Sequence, residues 1–184
     1  MNSIKCFLIV ALLASPVALS AEEKAKSSKK KPAVKKTVKI GSPAPIFKIK
    51  DTNGKEIDLA KLTKKGPVLV RLTCGCKGCD KELAYFQALH QAYKGKGLTS
   101  IAIFREPDAK VEAYAKSKKL NMLYAVDSKG ASWKIFQTTT MPANFLIEKG
   151  GRIKTIAEGC DPSGLVADII SKKVAELLAT KKVD

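Results

Sequence analysis

The sequence predicts an α/β fold, a central mixed β-sheet flanked by helices with a β-hairpin at its N-terminal side. Three observations carry this. Apolar runs of strand character alternate along the chain with stretches of helical periodicity, the pattern of layered α/β domains. One of these runs, Pro67 to Leu72, is almost continuously apolar, as in a strand covered on both faces. Directly behind it, Thr73-Cys74-Gly75-Cys76-Lys77-Gly78-Cys79-Asp80-Lys81-Glu82 holds three of the chain's five cysteines where a strand gives way to a helix. At 184 residues the chain has room for one domain with a proper core and a tail.

The first twenty residues read as a secretory signal peptide. Lys5 supplies the charged start, Phe7 to Ala14 the apolar run, and Ala18, Ser20 and Ala21 the small residues of a cleavage point. Pro16 interrupts the run, which falls short of the roughly 20 residues a membrane-spanning helix needs. Export is therefore preferred to an N-terminal anchor. Cys6 lies at the front of the apolar run and leaves with the signal. Residues 21–39 follow as a linker, since Glu22 to Lys39 sets eight lysines against two glutamates with no apolar periodicity. Such a segment cannot bury enough apolar surface to offset chain entropy. Its charge suits contact with anionic phospholipid, where each lysine near the surface adds ~1 kcal/mol. Although the whole chain carries a formal charge of +17, no aromatic residues interleave with the basic ones, and nucleic acid is excluded as a partner. Residues 40–184 form the folded domain.

Within that domain Gly41 to Pro45 is a rigid extended lead-in, and Ile46 to Lys50 alternates as a half-buried strand. Asn53-Gly54 marks the hairpin turn, with Glu56 to Leu59 as the returning strand. Pro67 to Leu72 is the buried strand, and its Arg71 has no explanation in the sequence. Cys76 to Tyr93 is helical, with Leu83, Phe86, Leu89, His90 and Tyr93 near one stripe. Gly95 and Gly97 end it. Leu98 to Phe104 is the next strand, Asp108 to Lys118 a helix with Val111 and Tyr114 inward, Leu123 to Val126 a short strand, and Ser128 to Phe136 a short helix. Phe145 to Glu148 and Arg152 to Ala157 flank Lys149-Gly150-Gly151 as a second hairpin, and Pro162 to Ala179 closes the chain as an amphipathic helix.

The order of elements, a Cys-x-x-Cys at a strand-to-helix junction and a later Met-Pro before a hairpin together resemble the thioredoxin fold. More narrowly, Ala44-Pro45-Ile46-Phe47, Asp51-Thr52-Asn53-Gly54-Lys55, Cys79-Asp80-Lys81-Glu82 and Met141-Pro142-Ala143-Asn144-Phe145-Leu146-Ile147-Glu148 are similar to the exported TlpA/ResA-type thiol-disulfide oxidoreductases of the AhpC/TSA-redoxin-like superfamily. That group includes proteins of cytochrome c maturation. The resemblance runs from about Ile40 to the C-terminus. It implies an exported, periplasmic enzyme without a cofactor other than its own redox-active disulfide. It also implies Cys76 as the exposed attacking thiol, Cys79 as the buried resolving thiol, and Pro142 as a cis-proline that pairs with substrate backbone. Its partners would be exported proteins bearing disulfides or dithiols. An acid near the buried cysteine is common in such proteins, and Glu106 after the strand ending at Phe104 is the candidate.

Elementary chemistry supports the first two roles independently. Cysteines three apart at a helix start share one face, the earlier lies nearer the positive end of the helix dipole, and Lys77 beside it favours thiolate. Two departures from the family stand out. Gly75 replaces the aromatic residue that usually precedes the first cysteine, and Gly78 the proline that usually precedes the second. Cys74, together with Cys160 in Glu158-Gly159-Cys160, adds two thiols that are expected to cluster with the pair.

Two other readings use the same residues. Cys74, Cys76, Cys79 and Cys160 with the thioether of Met141 could hold copper, as a metallochaperone would, because soft sulfur ligands suit Cu(I). No histidine joins them, since His90 is eleven residues past Cys79, about 16 Å at the helical rise. His90 and Met141 read instead as packing residues. Thr73 and Cys76 also have the Thr-x-x-Cys spacing of peroxide-reducing thiol enzymes, with Arg71 or Arg105 to support a thiolate, but the Cys-x-x-Cys is better explained by disulfide exchange.

Overall fold

The computed structural model describes residues 37–179; the expected signal peptide, Cys6 and residues 21–36 of the linker lie outside them. Strands β1 (Lys48–Lys50) and β2 (Glu56–Asp58) form the expected antiparallel hairpin, turning on Gly54 at φ +79°. Helix α1 (Leu59–Lys65) follows at once, where the sequence pattern predicts the end of a strand. The reason is Asp58: its carboxylate accepts from the Lys61 N–H at 3.1 Å and caps the helix, while Leu59 is buried in the core. Then come β3 (Val68–Thr73), α2 (Lys77–Tyr93), a 3-10 turn at Lys94–Lys96, β4 (Thr99–Phe104), α3 (Asp108–Ser117), β5 (Leu123–Val126) and α4 (Ala131–Ile135). The chain closes with β6 (Ala143–Ile147), β7 (Ile153–Glu158) and α5 (Leu165–Ala179).

The main sheet is mixed, with strand order β5-β4-β3-β6-β7. Strands β3, β4 and β5 run parallel, whereas β6 and β7 run antiparallel to their neighbours. As the centre of the sheet, β3 is buried along its whole length, in keeping with its apolar sequence. Its side chains alternate between two cores, as a period of two requires. Val68, Val70 and Leu72 pack with Phe47, Ile57, Trp133 and Phe136 under the hairpin and α4, while Leu69 faces the other way onto Phe86, Leu89, Val111, Ile170 and Val174.

Arg71 shares the second face with Leu69, and the structure accounts for it. Its guanidinium donates to Glu82 Oε2 of α2 and to Asn144 Oδ1 of β6, each at 2.9 Å, and lies 4.1 Å from the centre of the Phe86 ring. Both members of this ion pair are almost fully buried, at 2% and 1% exposure. The remaining Glu82 oxygen accepts from the Asp161 backbone N–H at 2.7 Å. The carboxylate therefore ties the central strand, the first long helix and the loop after β7 to one point.

Candidate active site

The topology brings several chain reversals to one end of the sheet. Because β3 and β4 are parallel and β6 is antiparallel to β3, the segments following β3 and β4 and the one preceding β6 emerge together. Leu72 pairs with Ala143, so the strand ends carrying Cys74 and Pro142 lie side by side. The Met141–Pro142 peptide is cis, and the Pro142 carbonyl accepts from the Gly159 N–H at 2.9 Å. Trp133 Nε1 donates to the Thr140 carbonyl at 3.2 Å and fixes the approach to that bond.

Cys76 is the N-cap of α2, with extended backbone (φ −77°, ψ 159°), and its side chain is exposed. Cys79, one turn in, is 3% exposed, and Cys74 is half-buried at the end of β3. The three sulfurs lie within 4.8 Å of one another. Cys74 and Cys79 are 3.4 Å apart, so the thiol outside the Cys-x-x-Cys spacing sits against the buried one. Cys160 approaches from the loop after β7, although its sulfur is not among the three that converge. Its thiol donates to the Gly78 carbonyl at 3.0 Å, in the space that the missing Gly78 side chain leaves.

These contacts separate the acidities of the thiols. The neighbouring Cys74 thiol, helped by the backbone N–H groups of Cys79 and Gly78, holds Cys76 below the usual cysteine range, overcoming the effect of burial. Burial pushes Cys74 well above that range, and its hydrogen bond toward Cys76 adds to the shift. Cys160 is also raised, first by burial and then by the Glu82 carboxylate. The exposed thiol at the helix start is thus the one most ready to ionise.

Glu106 reaches the site through the loop: its Oε1 accepts from the Gly75 N–H at 2.6 Å, while its buried Oε2 has no hydrogen-bond partner. With Phe104, Lys110, Val111 and Tyr114 it borders a cavity of about 110 Å³ beside Gly75. Tyr114 donates to Asp80 Oδ1 at 2.9 Å and Lys118 contacts Oδ2 at 2.8 Å, which holds the Asp80 carboxyl below its usual range and pins the first turn of α2.

Glu82 carried no role in the sequence reading. A signal was available, because it falls inside the stripe of Cys79, Leu83, Phe86 and Leu89, and an acid on a buried face requires a partner. The other predicted residues sort as follows. His90 is buried on α2, and Met141 packs half-buried against the hairpin-side core. Among the described residues, Cys74, Cys76 and Cys79 are the cysteine, histidine and carboxylate group whose donor atoms converge closely enough for a soft cation; Cys160 is not part of it. Arg71 is committed to Glu82, and Arg105 lies 5.7 Å from the Trp133 ring.

Known proteins resemble this chain along its folded part. The model of the AhpC/TSA family matches residues 40–156. A thiol-disulfide oxidoreductase ResA of Bacillus thuringiensis is 35% identical over 117 residues, covering 63% of this chain and 68% of the relative. The ResA of Bacillus subtilis is 28% identical over 140 residues, covering 76% and 78%. Among solved structures, a candidate thiol:disulfide interchange protein DsbE from Chlorobium tepidum superimposes with a TM-score of 0.70 at 19% identity, covering 77% of this chain and 99% of its own. That likeness is one of fold.

Proposed function

The chain belongs to the AhpC/TSA family and, within it, to the ResA-type thiol-disulfide oxidoreductases, and on that premise we propose that Cys76 and Cys79 are its working dithiol. The observation that carries the assignment is an exposed, acidified thiol at the start of α2 with a buried thiol one turn below it. The Cys76 thiolate attacks one sulfur of a partner's disulfide; that S–S bond breaks and the partner's other sulfur leaves as a thiolate. Cys79 then attacks Cys76 Sγ, the mixed disulfide breaks, and the partner departs with two electrons and, after protonation, two thiols. The protein keeps the Cys76–Cys79 disulfide. Run backwards, the same steps oxidise a dithiol.

The substrates are thiol- or disulfide-bearing proteins. Pro142, beside the dithiol at the start of β6, is suited to pair with their backbone, and Glu106 to hold the turn through Gly75. The reaction uses no cofactor beyond the two sulfurs. The leader-like first twenty residues support export to the periplasm, and among the described residues no helix is long and apolar enough to cross a membrane.

Reduction of insulin by dithiothreitol tests the assignment. Catalytic amounts of the protein accelerate it, Cys76→Ser abolishes the acceleration, and Cys79→Ser accumulates a mixed disulfide with insulin. Full activity in Cys76→Ser would sink the assignment.

A further inference from the structure

Dithiol exchange needs two sulfurs, and this site holds three within 4.8 Å. Cys79 is the deepest and has both others in reach, with Cys74 Sγ at 3.4 Å. A disulfide requires sulfurs about 2.05 Å apart. Side-chain rotation of either neighbour covers the difference, but Cys79 can bond only one of them at a time. We propose that Cys74 is a second partner for Cys79, so that the disulfide formed in turnover migrates from Cys76–Cys79 to Cys74–Cys79 and returns Cys76 as a free nucleophile while the protein stays oxidised. The proposal rests on the reading of Cys76 and Cys79 as the working pair.

The step balances without an outside reagent. Cys74 gives its proton to solvent and its sulfur attacks Cys79 Sγ; the Cys74–Cys79 bond forms as the Cys76–Cys79 bond breaks, and the electron pair leaves on Cys76 Sγ. No electrons are gained or lost. The direction follows from the leaving group, since the more acidic sulfur departs more readily. The Cys74 thiol, the first support of negative charge on Cys76, is lost once Cys74 enters the bond, but the backbone N–H groups of Cys79 and Gly78 remain, whereas burial opposes charge on Cys74. The sulfur that resists ionisation is the one that ends in the bond. A free Cys76 on the oxidised protein can then attack another partner disulfide, and a second thiol of that partner can displace it. The partner's pairing changes while its electron count does not, which is disulfide isomerisation on proteins with several cysteines.

Trypsin makes the test direct, because it separates Leu72–Lys77, carrying Cys74 and Cys76, from Gly78–Lys81, carrying Cys79. The full chain is oxidised with glutathione disulfide, alkylated with iodoacetamide, digested without reduction, and the linked peptides are fragmented. The expected product joins Cys74 to Cys79 with the alkyl group on Cys76, at least about tenfold over the reverse, a preference of about 1.4 kcal/mol. Alkylation on Cys74 with the link at Cys76 overturns the proposal. In Cys76→Ser the two peptides remain linked if the proposal holds, and unlinked peptides count against it. Cys74→Ala separates the two readings. If it joins Cys76 to Cys79 while Cys76→Ser forms no link, only the migration fails; if it forms no link either, the working pair falls as well.

Discussion

Arg71 and Glu82 show how little of a buried charge pair can be read from either residue alone. They lie eleven positions apart, Asn144 is seventy-three from Arg71, and only the folded sheet brings the three together. What the sequence did contain was an arginine in an apolar strand and a glutamate on an apolar helix face, two anomalies of opposite sign that explain each other. Removing one partner leaves a buried charge without compensation. Arg71→Leu is expected to lower stability to chemical denaturation by about 3–5 kcal/mol, whereas Arg71→Met with Glu82→Leu recovers most of that loss. The recovery stays incomplete, because the Asp161 N–H then lacks its acceptor, worth about 1–3 kcal/mol. The sulfurs divide in the same way. Cys76 and Cys79 were legible from their spacing, but the approach of Cys74 to Cys79 was not, since a spacing of five across a strand end and a Gly75 turn obeys no helical period. The first cause of Cys76 acidity is the Cys74 thiol. In Cys74→Ala the pH midpoint for alkylating Cys76 therefore moves upward from its position below that of a free cysteine. A lowered thiol pKa stabilises the reduced state at pH above it, so the same substitution makes the Cys76–Cys79 couple more reducing, by about 30 mV per tenfold change in the exchange constant with glutathione. An unchanged midpoint would show that the backbone N–H groups alone set the acidity.

Most elements of the domain were visible in the sequence because their periods differ: two for the strands, 3.6 for α2 and α5. Helix α1 was not. Its seven residues are too few to display a period, and the Asp58 cap resembles the polar end of a strand until the Lys61 N–H is seen to meet it. Packing between long helices was equally hidden. Gly164, at φ +86° before α5, sits against the Tyr85 ring of α2, where a Cβ would come within 2.8 Å of the ring carbons. Both the backbone conformation and the close approach call for glycine here. Gly164→Ala is expected to destabilise the domain by about 1–3 kcal/mol from the backbone conformation alone, measured by urea denaturation. Because Cys160 and Asp161 precede it in the same loop, iodoacetamide should also modify Cys160 faster in that variant. No change in either quantity would mean that α5 shifts freely.

At the scale of the whole molecule, residues 22–39 carry +6 of the formal charge of +17 in a short, lysine-dense segment ahead of the folded part. If the lysines of residues 22–39 bind anionic lipid, the protein cosediments with phosphatidylglycerol vesicles at low salt. It is released as salt approaches ~1 M, where screening acts within about 3 Å. Deleting residues 22–39 should remove the binding and leave insulin reduction intact; binding that survives the deletion would place the contact on the domain. The reversals at one end of the main sheet have a different consequence. Cys74, Cys76, Gly78 and Cys160 lie beyond the strands or at the very start of α2, while the apolar side chains of β3, β4 and β6 fill the two cores. Substitutions at those four positions remove almost no core volume. Plotted for a series of such variants, redox potential would spread widely over a nearly constant melting temperature: the protein's chemistry and its durability can be tuned on separate axes.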